Sequence, residues 1–265
     1  VNSTDLIRRR WLNNNFYAAN ANVNYIDDSI DAILGAFYSY YGGDHFGEVI
    51  WAEYTGGSEI RDRYYSGNGD KNEFTLFGKT TYRINDAWTV YGDLQGRFIS
   101  YRTSGITSDL VPLVIQQKYN FFNPKVGATY QMDNTNQFYF SYGRANREPR
   151  RSDFEQGIFT AEKLDDFELG WRNWSDKAKI NTNVFYMDYK DQLVLTGAID
   201  DVGAPIRATS GKSFRLGLEI DVDIEISEKI KFFPNVALST NKNVDFVTSQ
   251  DGELVNLGNT KISFS

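Results

Sequence analysis

The stretch that most constrains the fold runs from Lys212 to Ile226. Phe214, Leu216, Leu218, Ile220, Val222, Ile224 and Ile226 take every second place, and Arg215, Gly217, Glu219, Asp221, Asp223 and Glu225 take the places between. A period of two is a β-strand, because successive side chains leave opposite faces of a sheet. This alternation lasts about thirteen residues, whereas strands of soluble proteins run about 5–6 and seldom pass 10. A strand crossing a bilayer needs roughly 9–11 residues for the hydrocarbon alone. One face is wholly apolar and the other carries charges. The pattern predicts lipid on one side of the strand and a watery lumen on the other.

The same alternation recurs along the chain. It predicts strands over Phe16–Ile26, Ile30–Gly42, Asn72–Arg83, Trp88–Arg102, Phe121–Met132, Gln137–Arg147, Leu164–Trp174, Ala178–Leu195 and Ile230–Phe246, with a last one from Leu257. With the opening strand these make about eleven, each antiparallel to the next. Short polar turns, such as Asp27-Asp28-Ser29 and Asp133-Asn134-Thr135-Asn136, alternate with longer connections, of which 43–71 is the longest. Short turns on one rim and long loops on the other belong to an outer-membrane barrel. A β-sandwich would place turn signals every 8–12 residues or so and lack that asymmetry. Tyr25, Tyr82, Trp88, Tyr130, Phe138, Trp171, Trp174 and Phe232 gather near the short turns, as in an interfacial aromatic girdle. Aromatic residues also favour strands for their own sake; the long alternations and the loop asymmetry decide for the girdle.

Composition narrows the alternatives. No run of about 18 apolar residues is present, which rules out a transmembrane helix and leaves a barrel untouched. The formal net charge of -7 argues against nucleic acid as a partner. The absence of Cys removes disulfides and thiolate metal sites. The fold class is therefore all-β, an antiparallel transmembrane β-barrel. An odd number of strands, and an end within an alternating run at Lys261-Ile-Ser-Phe-Ser265, predict that residues 1–265 form part of a larger barrel. The opening Val1-Asn-Ser-Thr-Asp5 is not a secretory signal.

Several segments resemble consecutive strands and loops of TonB-dependent outer-membrane receptors. They are Phe121-Phe-Asn-Pro-Lys-Val-Gly-Ala-Thr-Tyr130, Tyr142-Gly-Arg-Ala-Asn-Arg-Glu-Pro-Arg-Arg-Ser-Asp153, Glu162-Lys-Leu-Asp-Asp-Phe-Glu-Leu-Gly170, Asn183-Val-Phe-Tyr-Met-Asp-Tyr-Lys-Asp-Gln-Leu-Val194 and Ser210-Gly-Lys-Ser-Phe-Arg-Leu-Gly-Leu-Glu219. Asp5-Leu-Ile-Arg-Arg-Arg-Trp11 and Gly43-Asp-His-Phe-Gly-Glu-Val-Ile-Trp51 resemble loops of Bacteroidetes members. The resemblance covers nearly the whole chain. It implies an active importer of a scarce nutrient (iron-siderophore, haem, cobalamin or glycan) in the bacterial outer membrane. It further implies a barrel of about 22 strands closed by a plug domain of the same polypeptide. That plug, and the segment that contacts the TonB complex, are not recognisable in this chain. Lipopolysaccharide and a surface lipoprotein are the other implied partners. The competing readings are a passive porin-type channel and a surface barrel with a structural or partner-binding role.

Candidate ligand contacts concentrate between 43 and 71. His45, Trp51, Tyr54, Arg61, Arg63, Tyr64 and Tyr65, with Phe46, combine flat rings and guanidinium groups suited to gripping a flat or acidic ligand. The plainer reading is a girdle with a solvated loop tip. Arg144, Arg147, Arg150 and Arg151 form a second cluster, predicted either to face the lumen and plug or to join an internal salt-bridge network with Glu148 and Asp153. Arg8, Arg9 and Arg10 are a charge run that suits lipopolysaccharide phosphates or water equally. One histidine, His45, leaves no multi-histidine metal site and no convincing catalytic triad, so neither an enzyme nor a cofactor is predicted.

Overall fold

The computed structural model describes residues 4–199, 205–244, 246–250 and 253–262. The strands are β1 Leu6–Ile26, β2 Ile30–Ala52, β3 Arg63–Arg83, β4 Trp88–Ile106, β5 Pro112–Gln131 and β6 Asn136–Arg147. After one turn of helix, α1 Arg151–Glu155, come β7 Glu162–Trp174, β8 Ala178–Ile199, β9 Pro205–Ser227, β10 Ile230–Phe232, β11 Asn235–Asn243, β12 Val247–Gln250 and β13 Glu253–Asn256. One sheet runs β1 to β10 in sequence order, with β11 pairing β9, while β12 and β13 form a separate pair. No helix among the described residues is long and apolar enough to cross a membrane.

Most strands run further than their apolar alternation. β2 is 23 residues long and β3 is 21. Gly43–Trp51 and 63–71, expected as connection, are strand, and only 53–62 joins the two. The extension has polar side chains on both faces, so it carries no apolar period, yet the backbone ladder holds it. Arg61 N–H donates to the Val49 carbonyl at 2.8 Å, and Glu53 N–H to the Asp5 carbonyl at 2.8 Å. The expected strand Ile230–Phe246 is broken at Phe233-Pro234, where proline has no N–H to give the ladder. Of the strand expected from Leu257, the described residues contain a single bridge, Lys242 to Lys261; residues 263–265 lie outside the described set.

Three of the short turns share one device. Asp27 Oδ1 accepts from the N–H groups of Ser29 and Ile30 at 2.8 and 2.7 Å. Asn85 Oδ1 accepts from Ala87 and Trp88, both at 2.9 Å. Asp133 Oδ1 accepts from Thr135 and Asn136, both at 2.8 Å. An Asx side chain two and three residues ahead of its donors imitates a backbone turn and ends the strand. The Asn136 amide, then the Thr135 hydroxyl and N–H, hold the Asp133 carboxyl down to about 2.

Contacts divide the chain into two compact units, Val1–Asn22 with Gly35–Leu76 and Gly96–Phe121, and Val23–Leu34 with Phe77–Gln95 and Phe122–Ser265. In the second unit the register sorts side chains into two unlike faces. Ala128 faces Phe140, Phe140 faces Leu169, then Val184, Leu218 and Leu238 follow in direct register. The rows on either side read Tyr130, Phe138, Trp171, Thr182, Ile220, Val236 and Val126, Tyr142, Phe167, Tyr186, Leu216, Thr240. Leu169 is 59% exposed and Leu238 62%. A continuous apolar face left this open is suited to lipid, because water would penalise every row.

The opposite face of the same strands is polar. Gln131, Gln137, Arg172, Asn181, Asp221 and Asn235 form one row. Arg172 donates to Gln137 Oε1 at 3.2 Å and lies over the Tyr139 ring at 4.4 Å. Tyr139 O–H donates to Asn183 Oδ1 at 3.1 Å. The Tyr139 ring lies against Gly170 directly opposite it, and the Phe185 ring likewise against Gly217, so a methyl group at either glycine would collide with the ring. Large rings thus cover bare backbone on the lumen side.

In the first unit, Phe74 and Phe98 stack at 6.4 Å and are both largely exposed. Their sequence neighbours Glu73 and Arg97 pair at 2.8 Å, with Lys71 at 3.4 Å from Glu73. Apolar and ionic side chains alternate here as well.

Candidate functional site

The candidate ligand-binding residues lie in the first unit, where β1 begins, β2 ends and β3 begins. Arg63 sits over the Phe46 ring at 3.6 Å. Trp11 of β1 approaches Phe46 at 6.5 Å, and Arg9 lies 4.8 Å from the Trp11 ring centre while its guanidinium pairs with Glu48 at 2.7 Å. Tyr64 and Tyr65 meet edge to face at 5.0 Å, with Arg8 at 5.4 Å from the Tyr64 ring. These are cation–π and T-shaped arrangements worth about 0.5–1.5 kcal/mol each where partly desolvated.

Beside this cluster is a cavity of about 440 Å³, whose lining includes Leu6, Val49, Tyr54, Glu59, Arg63 and Tyr64. It combines an apolar floor with one guanidinium, Arg63, and two carboxylates, Glu59 and Asp62, the make-up of a small-molecule pocket. The Tyr64 hydroxyl is buried with no hydrogen-bond partner among the described residues.

Of the seven residues proposed from sequence, Tyr54, Arg63 and Tyr64 line the cavity. Tyr65 is buried behind Tyr64, and Trp51 is exposed on the last turn of the ladder. Arg61 takes a left-handed backbone, φ 76, at the β2–β3 connection, and His45 is half-buried within β2. Sequence reasoning did not name Glu59 and Asp62 on the β2–β3 connection, nor Thr4, just before β1, and Leu6, its first residue, which enter from some fifty positions away. No local pattern signals such a long-range contact.

The four arginines at the end of β6 and the start of α1 are not brought to one place. Arg144 shares the face of Phe140 and Tyr142 and pairs with Asp165 at 2.7 Å. Arg147, on the opposite face, pairs with Glu162 at 2.9 Å. Arg150 is the N-cap of α1, its N–H donating to the buried Asp153 carboxylate at 2.8 Å, and Arg151 pairs with Glu155 at 2.9 Å. A spacing of three in a strand puts Arg144 and Arg147 on opposite faces. Arg10 donates to Ser108 Oγ at 2.8 Å.

An antiparallel sheet with one open apolar face, one polar face and strands joined by short Asx turns is the wall of a transmembrane β-barrel. The chain matches the TonB dependent receptor-like β-barrel family over residues 2–264 and belongs to it; its members are outer-membrane proteins of Gram-negative bacteria. The fold is similar to the ferric yersiniabactin uptake receptor FyuA of Yersinia pestis, with a TM-score of 0.68 and 16% identity over 99% of this chain. The copper transporter OprC gives 0.74 and 11% over 89%, and the FrpB iron transporter of Neisseria meningitidis 0.61 and 16% over 88%. The chain spans 39%, 39% and 36% of those three structures. No curated protein matches the chain by sequence.

Proposed function

We propose that this chain is part of the barrel of a TonB-dependent receptor that actively takes up a scarce nutrient. The barrel is closed by a plug domain of the same polypeptide and opened through the TonB complex. The observation that carries the reading is the Arg63–Phe46 pair at 3.6 Å beside a cavity lined by Tyr54 and Tyr64, on a chain belonging to the receptor family. Rings and a guanidinium together suit a flat, anionic metal chelate. Neighbouring structures described as uptake proteins for ferric yersiniabactin and ferric citrate favour an iron chelate over haem, cobalamin or glycan. The polar lumen row through Arg172 and Asp221 suits plug contact. Lipopolysaccharide and a surface lipoprotein are the further partners of this reading. The work of this chain is binding and passage, with no catalytic step.

Uptake of iron-55 chelates by cells carrying the full-length receptor tests this reading. We expect uptake that stops when the TonB complex is deleted or the proton gradient collapsed. The Arg63→Ala/Tyr64→Ala variant should weaken chelate binding about 5–30-fold, two partly desolvated contacts of roughly 0.5–1 kcal/mol each or more. Uptake that persists without TonB would replace the proposal with a passive channel.

A further inference from the structure

The lipid-facing side of β6–β9 and β11 changes chemistry within one residue pair of its apolar rows, at the end away from the short turns. Two residues beyond Tyr142, Phe167, Tyr186, Leu216 and Thr240, the register reads Arg144, Asp165, Asp188, Phe214 and Lys242, with Lys261 bridged to Lys242. Two residues further, Lys163 stands directly opposite Lys190, and Lys190 directly opposite Lys212. Neighbouring strands are only about 4.8 Å apart. Like charges placed directly opposite destabilise a sheet, so three lysines in one register row are unfavourable unless something anionic lies across them.

Among the described residues, the carboxylates of these rows do not supply that anion. Asp165 is already held by Arg144 at 2.7 Å, Lys163 at 3.0 Å and the Tyr142 hydroxyl at 2.7 Å. Asp188 is the one other carboxylate in the two rows. Lys190 and Lys212 are exposed and make no ion pair among the described residues. Six cations therefore face two carboxylates, in the line where the apolar face ends. Acyl chains would lie on Tyr186, Val184, Leu216 and Leu218. Their headgroup would meet the lysines, whose compact ammonium groups suit phosphate as point charges.

We propose that Lys190 and Lys212, flanked by Lys163 and Lys242, form a binding site for the phosphates of an outer-leaflet phosphoglycolipid, one phosphate bridging the two strands. The site rests on the proposed membrane setting and adds to it a defined lipid contact. It consists of a register row, so its geometry is fixed by the sheet and does not depend on loop ordering.

The test uses the full-length receptor, purified in detergent and titrated with lipid A carrying two phosphates, with retained lipid counted by native mass spectrometry. Lys190→Gln/Lys212→Gln should bind lipid A about 30-fold more weakly, since each lysine near an anionic lipid carries roughly a factor of five. Lys190→Arg/Lys212→Arg should retain binding, and Lys125→Gln, a cation on the lumen face, should leave it unchanged. Equal retention by the glutamine variant and the wild type would overturn the site, leaving solvated lysines. Displacement of lipid A by millimolar inorganic phosphate would overturn it as a lipid site. The heat-modifiable migration typical of an inserted barrel is measured on every sample. Its absence from the wild type would sink the membrane setting itself, whereas its presence with unchanged lipid retention would sink only the lysine site.

Discussion

The two faces of β6–β9 are made by one backbone yet obey opposite rules. On one side Phe140, Leu169, Val184, Leu218 and Leu238 are large, apolar and open. On the other, Tyr139 and Phe185 cover Gly170 and Gly217, Arg172 donates to Gln137, and Tyr139 donates to Asn183. The lipid face needs no specific partner, because hydrocarbon accepts any apolar shape. The lumen face pairs polar side chains with one another and covers Gly170 and Gly217 with rings. Tolerance on one side and specificity on the other follow from the solvent each side meets.

Two pairs of substitutions can break or sharpen that contrast, and a fifth probes the turns that join the strands. Leu218→Arg should impair assembly most, since Arg on the lipid face costs up to about 2–4 kcal/mol near the midplane, whereas Glu219→Arg should be mild. Folding titrations of both in lipid vesicles check this, and equal damage would end the distinction between the faces. Gly170→Ala should cost about 1–3 kcal/mol by overpacking against the Tyr139 ring, and Tyr139→Ala in the same chain should recover most of it. The smallest effect belongs to neither face. Asp133 is held below its ordinary 3.8, at about 2, so its contribution is complete above 3.8 and is lost as pH falls through about 2. Asp133→Asn keeps the acceptor and should remove that acid dependence, which refolding across this pH window would measure.

The faces were legible in the sequence because alternation survives wherever one side meets lipid. Lys212–Ile226 carries the signal complete, and the Asx turns at Asp27, Asn85 and Asp133 mark its ends. Beyond the membrane both faces meet water, the period vanishes, and Gly43–Trp51 reads as loop although it is strand. Arg144 and Arg147 look like one cluster by proximity, but their odd spacing already parts them. The cavity was half legible: Tyr54, Arg63 and Tyr64 stand out by composition, whereas Thr4 and Leu6 arrive through pairing of β1 with β2.

The 23 residues of β2 would extend about 75 Å, far beyond what the hydrocarbon requires. Where a ligand is captured by mobile loops, closing them over it reduces affinity through lost chain freedom, about 1–2 kcal/mol for each residue ordered. Around Phe46 and Arg63 that freedom was already given up when the strands paired. A stiff collar of this kind selects by shape and releases quickly what does not fit, so its preference should lie in dissociation rates, with association nearly uniform among related chelates.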